Sequence, residues 1–266
     1  MMTVGSLFSG IGGFDLGLER AGMQIEWQVE NNDYCREVLK KHWPHVPCHY
    51  DITTIDWGFI PRVDLVCGGF PCQPFSVAGK RRAADDDRYL WPEVVRCLAV
   101  LRPTWFLGEN VYGLLHLGIE QMYADLEALG YQVAILGIPA CAVGSPQIRH
   151  RVWIIAHLAS QQVGSPGQSR EHGCVAVLPA ANAESVRRQQ RDTDARGNSK
   201  REIAKKKRTR SPNDYRWPSP PGFCRMDVRV PDWSHRIKAI GNSIVPQIAE
   251  ALGRMIVAIE TRARAG

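Results

Sequence analysis

The sequence predicts an α/β fold built on an open sheet, and three observations lead there. Short apolar runs alternate with longer amphipathic stretches as far as residue 157. The first run opens into a glycine-rich turn. Residues able to do chemistry then recur just after the runs, at the strand edge where ligands collect in open α/β sheets. At 266 residues and 44% hydrophobic, the chain can bury a substantial core.

Taken in order, residues 3–8 form an apolar strand that runs into Ser9-Gly10-Ile11-Gly12-Gly13-Phe14. Leu16, Leu18 and Ala21 give helical spacing up to Gly22, a natural stop. Strand, glycine turn and helix together let a nucleotide-like ligand approach the backbone and a helix amino terminus. The next strand, residues 25–29, ends in Glu30, which can accept from ribose hydroxyls or cap the helix that follows Asn32. Beyond that helix stand His42, His45, Cys48 and His49, broken by two prolines; their spacing fits no zinc pattern, and no metal is expected. Asp51-Ile52 either holds an adenine amino group or starts a turn.

The central stretch is Gly68-Gly69-Phe70-Pro71-Cys72-Gln73-Pro74, directly after the apolar run at residues 63–67. Each proline fixes its own φ and pushes the preceding residue towards extended geometry. The thiol of Cys72 is therefore carried on a stiff turn at a strand end. A charged segment follows, and then a helix with Trp91, Val94, Leu98 and Leu101 on one face, ended by Arg102-Pro103. The strand at 104–107 opens into Gly108-Glu109-Asn110-Val111. A carboxylate at such an apolar strand end is costly unless partnered or protonated. A helix at 119–129 and strands at 131–138 and 152–157 continue the alternation. Arg149 and Arg151, two apart before the last strand, share a face and either clamp an anion or form a surface ladder. From residue 158 the apolar period fades. Order returns near Trp217, and Gly241-Asn242-Ser243 then precedes an amphipathic helix at 244–259, either capping it or meeting a ligand.

Net charge is +6, and its distribution is uneven. Residues 187–210 hold eleven Lys/Arg against three Asp/Glu, a local balance of +8 that leaves the remainder at −2. That favours a local contact with a polyanion over a uniformly basic surface. No apolar run reaches membrane-spanning length, the amino terminus lacks the pattern of a secretory signal, and the eight cysteines include no CxxC pair. A cytoplasmic protein with reduced thiols and no membrane contact is expected.

Five blocks, in this order and spacing, resemble the DNA (cytosine-5)-methyltransferases, especially compact bacterial and phage members. They are Phe8-Ser9-Gly10-Ile11-Gly12-Gly13-Phe14, Gly69-Phe70-Pro71-Cys72-Gln73, Glu109-Asn110-Val111, Gln147-Ile148-Arg149-His150-Arg151 and Gly241-Asn242-Ser243. The resemblance implies a Rossmann-like, S-adenosylmethionine-dependent methyltransferase fold with a mostly parallel, doubly wound sheet and a small, irregular target-recognition region. Residues 1–157 and 236–266 would form the catalytic domain. Residues 158–235 would be the recognition region, partly disordered without DNA.

The resemblance also implies S-adenosylmethionine as donor, leaving S-adenosylhomocysteine as product. Phe8, Gly10, Gly12 and Gly13 would line the donor's amino-acid end, Glu30 its ribose, and Asp51 and Ile52 its adenine, with Ile11 and Asn31 also among the donor-binding residues. Gly69, Pro71, Leu90, Asn242 and Ser243 would complete the pocket. Two positions depart from the family: Ser6-Leu7-Phe8 stands where Asp-Leu-Phe is usual, and Asn31 where an aromatic often follows the acidic residue. Cys72, Glu109, Arg149 and Arg151 are the implied catalytic group. The thiolate would add to cytosine C6, a protonated Glu109 would relieve charge at N3, and the arginines would position the base. The target would be flipped out of duplex DNA, with residues 73–88, including Gln73, Ser76, Lys80 and Arg88, closing over it. A monomer is expected, with a cognate restriction endonuclease as a second partner. RNA methylation, or a catalytically silent DNA-binding relative, are the alternative readings.

Overall fold

The structure, a computed structural model, describes residues 1–71, 90–116, 118–158, 175–177 and 233–265. Its centre is an eight-stranded sheet in the order β3-β2-β1-β4-β5-β7-β6-β8. The strands are β1 Thr3–Leu7, β2 Gln24–Val29, β3 Cys48–His49, β4 Leu65–Gly68, β5 Trp105–Val111, β6 Tyr131–Pro139, β7 His150–Leu158 and β8 Val175–Val177. From β3 to β5 every pairing is parallel; β7 then runs antiparallel to both β5 and β6. The helices are α1 Gly13–Arg20, α2 Asp33–His42, α3 Trp91–Leu101, α4 Ile119–Ala128, α5 Trp233–Asn242 and α6 Pro246–Ala265. Among the described residues no helix is long and apolar enough to cross a membrane.

Two apolar cores flank the sheet, because strands buried on both faces send alternate side chains each way. Val66 and Phe106 face a core with Trp27, Trp57, Trp91 and Leu98; Leu65, Cys67, Trp105 and Leu107 face one with Leu18, Trp153, Ile248 and Leu252. Helices thus cover both faces, as the doubly wound reading requires. The strand order reverses between β1 and β4, and this is the switch point at which open α/β sheets leave a crevice beyond the strand ends. The Phe8–Gly12 turn leaves β1 at that point, and Gly69-Phe70-Pro71 leaves β4 there.

Local chemistry explains where the nearby helices start and stop. Gly12 precedes α1 with φ 83°, a left-handed conformation that suits glycine. Asn32 caps α2 by accepting from Cys35 N at 3.1 Å. Arg102 ends α3 with φ 51°. The carboxyl-terminal helix is longer than expected, and the segment before Gly241 is itself a helix, α5, beginning at Trp233. Gly17 lets α6 lie directly on α1: a Cβ there would stand 2.4 Å from Pro246 O and 2.7 Å from Ala249 Cβ.

Candidate active site

The turn after β1 is pinned at both ends. Ser9 N donates to Val29 O at 3.0 Å, and Gly12 N to Ser9 O at 2.9 Å. Phe8 takes φ 52°, a conformation uncommon for a bulky side chain and one that gathers at functional turns. Glu30, half-buried at the end of β2, accepts from Gly10 N through Oε2 and from Asn32 N through Oε1, each at 2.8 Å. Of the two readings of Glu30, the structure shows the helix-start contact, through Asn32 N, together with an anchor on the glycine turn through Gly10 N. Its oxygens keep lone pairs for a further donor, since a carboxylate offers about four acceptor sites.

A cavity of about 280 Å³ opens at this turn. Of the residues expected at the donor site, Phe8, Gly10, Gly13, Glu30, Asn31, Gly69, Pro71, Asn242 and Ser243 line it. Ile11 and Gly12 lie in the same turn but do not face the cavity. Three other expected residues are not brought to it. Asp51 lies by a separate groove with Tyr50 and Phe59, its Oδ1 accepting from Thr53 N and Oγ1 at 2.9 and 2.8 Å; the turn reading describes it. Ile52 is buried in the core beside Trp57. Leu90 packs against that core as it leads into α3.

Several lining residues were not anticipated from the sequence. Asn32 and Cys35 belong to the first turn of α2, and His235, Lys238 and Ala239 form one stripe of α5 with the expected Asn242. The i, i+3, i+4, i+7 spacing of that stripe is the signal that could have found them. Ser6 does not reach the cavity. Its hydroxyl donates to Asp15 Oδ2 at 2.9 Å, and Gln28 Nε2 donates to Asp15 Oδ1 at 2.7 Å, all three side chains being fully buried. Burial pushes the Asp15 carboxyl up to about 6, against the hydrogen bonds from Gln28 and Ser6.

The second group lies one strand along. Glu109 is 7% exposed, and a side chain at Gly69 would stand 3.5 Å from its Oε2. Arg151 Nε stands 3.0 Å from Glu109 Oε1 as an ion pair, although that oxygen has no aligned hydrogen bond. Burial raises the Glu109 carboxyl to about 6, and the positive charges of Arg151 and then Arg149 hold it from rising further. Asn110 Nδ2 donates to Phe70 O at 3.0 Å and so fixes the chain just before Pro71. Arg149 and Arg151 diverge. Arg151 turns to Glu109, whereas Arg149 Nη1 donates to Gly241 O at 2.7 Å, leaving its buried Nε unpartnered. Both charges still act on Glu109, but the two side chains take different hydrogen-bond partners.

Cys72, Gln73, Ser76, Lys80 and Arg88 lie outside the described residues, as do residues 187–210. Among the described residues no three His, Cys, Asp or Glu side chains converge as a metal site would require.

Comparison with known proteins agrees with this layout. The profile of the C-5 cytosine-specific DNA methylase family matches residues 2–217. The Type II methyltransferase M.HgiCII of Herpetosiphon aurantiacus is 39% identical over 168 residues, 60% of this chain and 38% of that protein. M1.HphI of Haemophilus parahaemolyticus, also a Type II methyltransferase, is 35% identical over 182 residues, 63% of this chain and 49% of its own length. Each match therefore spans less than half of the relative. The Dnmt2 methyltransferase of S. pombe superposes with a TM-score of 0.52 at 25% identity, covering 59% of this chain and 51% of that one. A Spodoptera frugiperda DNMT2 mutant shares the fold, with a TM-score of 0.53 at 22% identity over 67% of this chain and 55% of its own. With the family profile matched across both strand-end groups, the chain belongs to the C-5 cytosine-specific DNA methylases.

Proposed function

We propose that this chain transfers a methyl group from S-adenosylmethionine to C5 of a cytosine flipped out of duplex DNA. The observation that carries the proposal is Glu109. It is a buried carboxyl with a raised proton affinity beside Gly69 of the cavity wall, which precedes Cys72 by three residues; in the β4–β5 pairing Gly68 lies opposite Gly108.

The cavity suits the donor. Small residues at Gly10 and Gly13 leave room for its chain, and Glu30 offers acceptors to a ribose. Bound there, the donor would supply an electrophilic sulfonium methyl.

The chain's own residues would do the rest. Cys72, as thiolate, adds to cytosine C6 and makes C5 nucleophilic. Glu109 meets the negative charge that then spreads to N3, holding a proton on that nitrogen. With its carboxyl at about 6, roughly a tenth is protonated at neutral pH before the base arrives. The charge that develops at N3 draws the proton into place. Arg151, already paired with Glu109, would also hold the base's O2, and its charge would favour the thiolate. Loss of the C5 proton and expulsion of the thiolate release 5-methylcytosine.

In this reading residues 1–157 and 236–266 are catalytic and 158–235 recognise DNA. The lid at residues 73–88 and the basic run at 187–210 contact the nucleic acid. The work is done as a monomer in the cytoplasm, beside a restriction endonuclease of the same specificity.

The test is transfer of labelled methyl groups to duplex DNA and, separately, to transfer RNA, with bisulfite sequencing of the DNA product. Cytosine-specific label in DNA, abolished by Cys72→Ser while donor binding persists, is the expected result. Label confined to RNA would replace the DNA reading, and turnover by Cys72→Ser would end the covalent one.

A further inference from the structure

The donor cavity has two distinguishable ends. Its inner end is set by the reacting groups: Gly69 lies beside Glu109, and a side chain there would also meet Ile244 Cγ2 at 4.0 Å. Ser243 belongs to the same end, since a Cβ at Gly13 would stand 2.7 Å from its Oγ. From there α5 runs outward along the wall, through Asn242, Ala239 and Lys238 to His235, a rise of roughly 10 Å over seven residues. At the outer end the His235 ring packs on Tyr34 of α2, with centroids 6.0 Å apart and planes tilted by 36°.

The chemistry of the donor orients it between these ends. Its sulfonium methyl must face Glu109 and the chain entering Cys72, so the purine falls at the opposite end, beyond the ribose that Glu30 would hold. A purine presents a flat π face that gains most from an aromatic surface. The strand end there offers Asn31 and Asn32, both exposed and without rings. Of the other rings that line the cavity, Phe14 is committed edge-on to Trp153 at 5.6 Å and Phe8 packs against the core around Trp27 and Trp91. Among the described residues the ring left at the outer end is His235, with Tyr34 packed against it.

We infer that His235 is the residue on which this chain stacks the donor's purine, with Tyr34 positioning it. The inference rests on the donor reading above. It moves part of the donor site into α5, ahead of the boundary at residue 236 that the sequence suggests for the catalytic domain. The interaction is one of ring surface rather than charge, so phenylalanine can replace histidine but alanine cannot.

The experiment is titration calorimetry on the full chain with two ligands, S-adenosylhomocysteine and S-ribosylhomocysteine, the second lacking the purine. His235→Ala should weaken S-adenosylhomocysteine on the order of tenfold and leave S-ribosylhomocysteine unchanged, and His235→Phe should restore the first. An unchanged affinity for S-adenosylhomocysteine in His235→Ala would overturn the inference. Equal loss for both ligands would overturn it too, since a displaced α5 rather than a lost stack would then be at work. Failure of the unaltered chain to bind S-adenosylhomocysteine would instead overturn the donor reading, and this inference with it.

Discussion

Glu30 and Glu109 occupy equivalent places, at the ends of two parallel strands on one sheet edge, yet their surroundings differ in kind. Glu30 is half-buried and accepts two backbone N–H groups at 2.8 Å, one from the glycine turn and one from the start of α2. Those donors satisfy it as an anion and make it a fixed part of the wall. Glu109 is buried, receives no backbone N–H among the described residues, and faces an ion pair at 3.0 Å that leaves one oxygen without an aligned hydrogen bond there. The difference teaches how one edge serves two purposes. Backbone donors hold a carboxylate still for binding, while burial with partial charge compensation leaves one ready to change its protonation.

The sharpest way to break this comparison is Glu109→Gln. If Glu109 manages a proton, methyl transfer in a single turnover should fall by about 10²- to 10⁴-fold with donor binding unchanged. A loss of less than tenfold would reduce it to a structural carboxylate. The same variant tests the linkage. A carboxyl raised from the ordinary range near 4.5 to about 6 in the folded chain contributes stability below about 4.5 that is lost as pH rises through 6. Urea unfolding at pH 4.5 and 7.5 should therefore show a component of this pH dependence, at most about 2 kcal/mol, that Glu109→Gln removes.

Arg151→Ala sharpens the electrostatic half of the argument. Burial raises Glu109, and Arg151 is the first of the charges opposing it, so removing the guanidinium should raise the carboxyl further. The alkaline limb of the pH profile of kcat/KM should then move to higher pH while the maximum rate falls. A limb that stays in place would separate Glu109 from that titration.

At the other strand end the effects should be smaller and of another type. Glu30→Gln should weaken S-adenosylhomocysteine about tenfold, measured by calorimetry, with methyl transfer at saturating donor little changed. A change in kcat instead of binding would erase the distinction between the two carboxylates. Asn32→Ala removes the cap on α2 and should cost about 1 kcal/mol in thermal unfolding.

Much of this layout was legible because it follows local rules. An apolar run ending in an acid or a glycine turn points to a strand edge, and Glu30, Glu109 and the Phe8–Gly13 turn all stand where that rule puts them. Asp51, Ile52 and Leu90 show its limit, since a residue following a short strand can face the core or a neighbouring groove as readily as the cavity. The α5 stripe was missed for a different reason. Its period is short and mixed with charges, so residues 233–240 read as polar chain with an apolar patch. The partners of Arg149 and Ser6 could not be read at all. One reaches a carbonyl 92 residues away and the other a carboxylate buried between strand and helix, and neither contact leaves a trace in spacing.

The cavity wall joins two stretches of chain far apart in sequence. The glycine turn and strand ends come from the first 71 residues, and His235, Lys238, Asn242 and Ser243 from the last 34. α6 is fastened by Trp105 Nε1 donating to Glu260 Oε1 at 2.8 Å, and by Arg254 Nη2 donating to Arg20 O at 3.1 Å. A molecule filling the cavity would touch both stretches and act as a clasp between them. By mass action, donor at a hundred times its dissociation constant would then stabilise the folded chain by about 2.7 kcal/mol. The long stretch joining the two parts would gain a firm base whenever the donor is in place, whatever sequence that stretch carries.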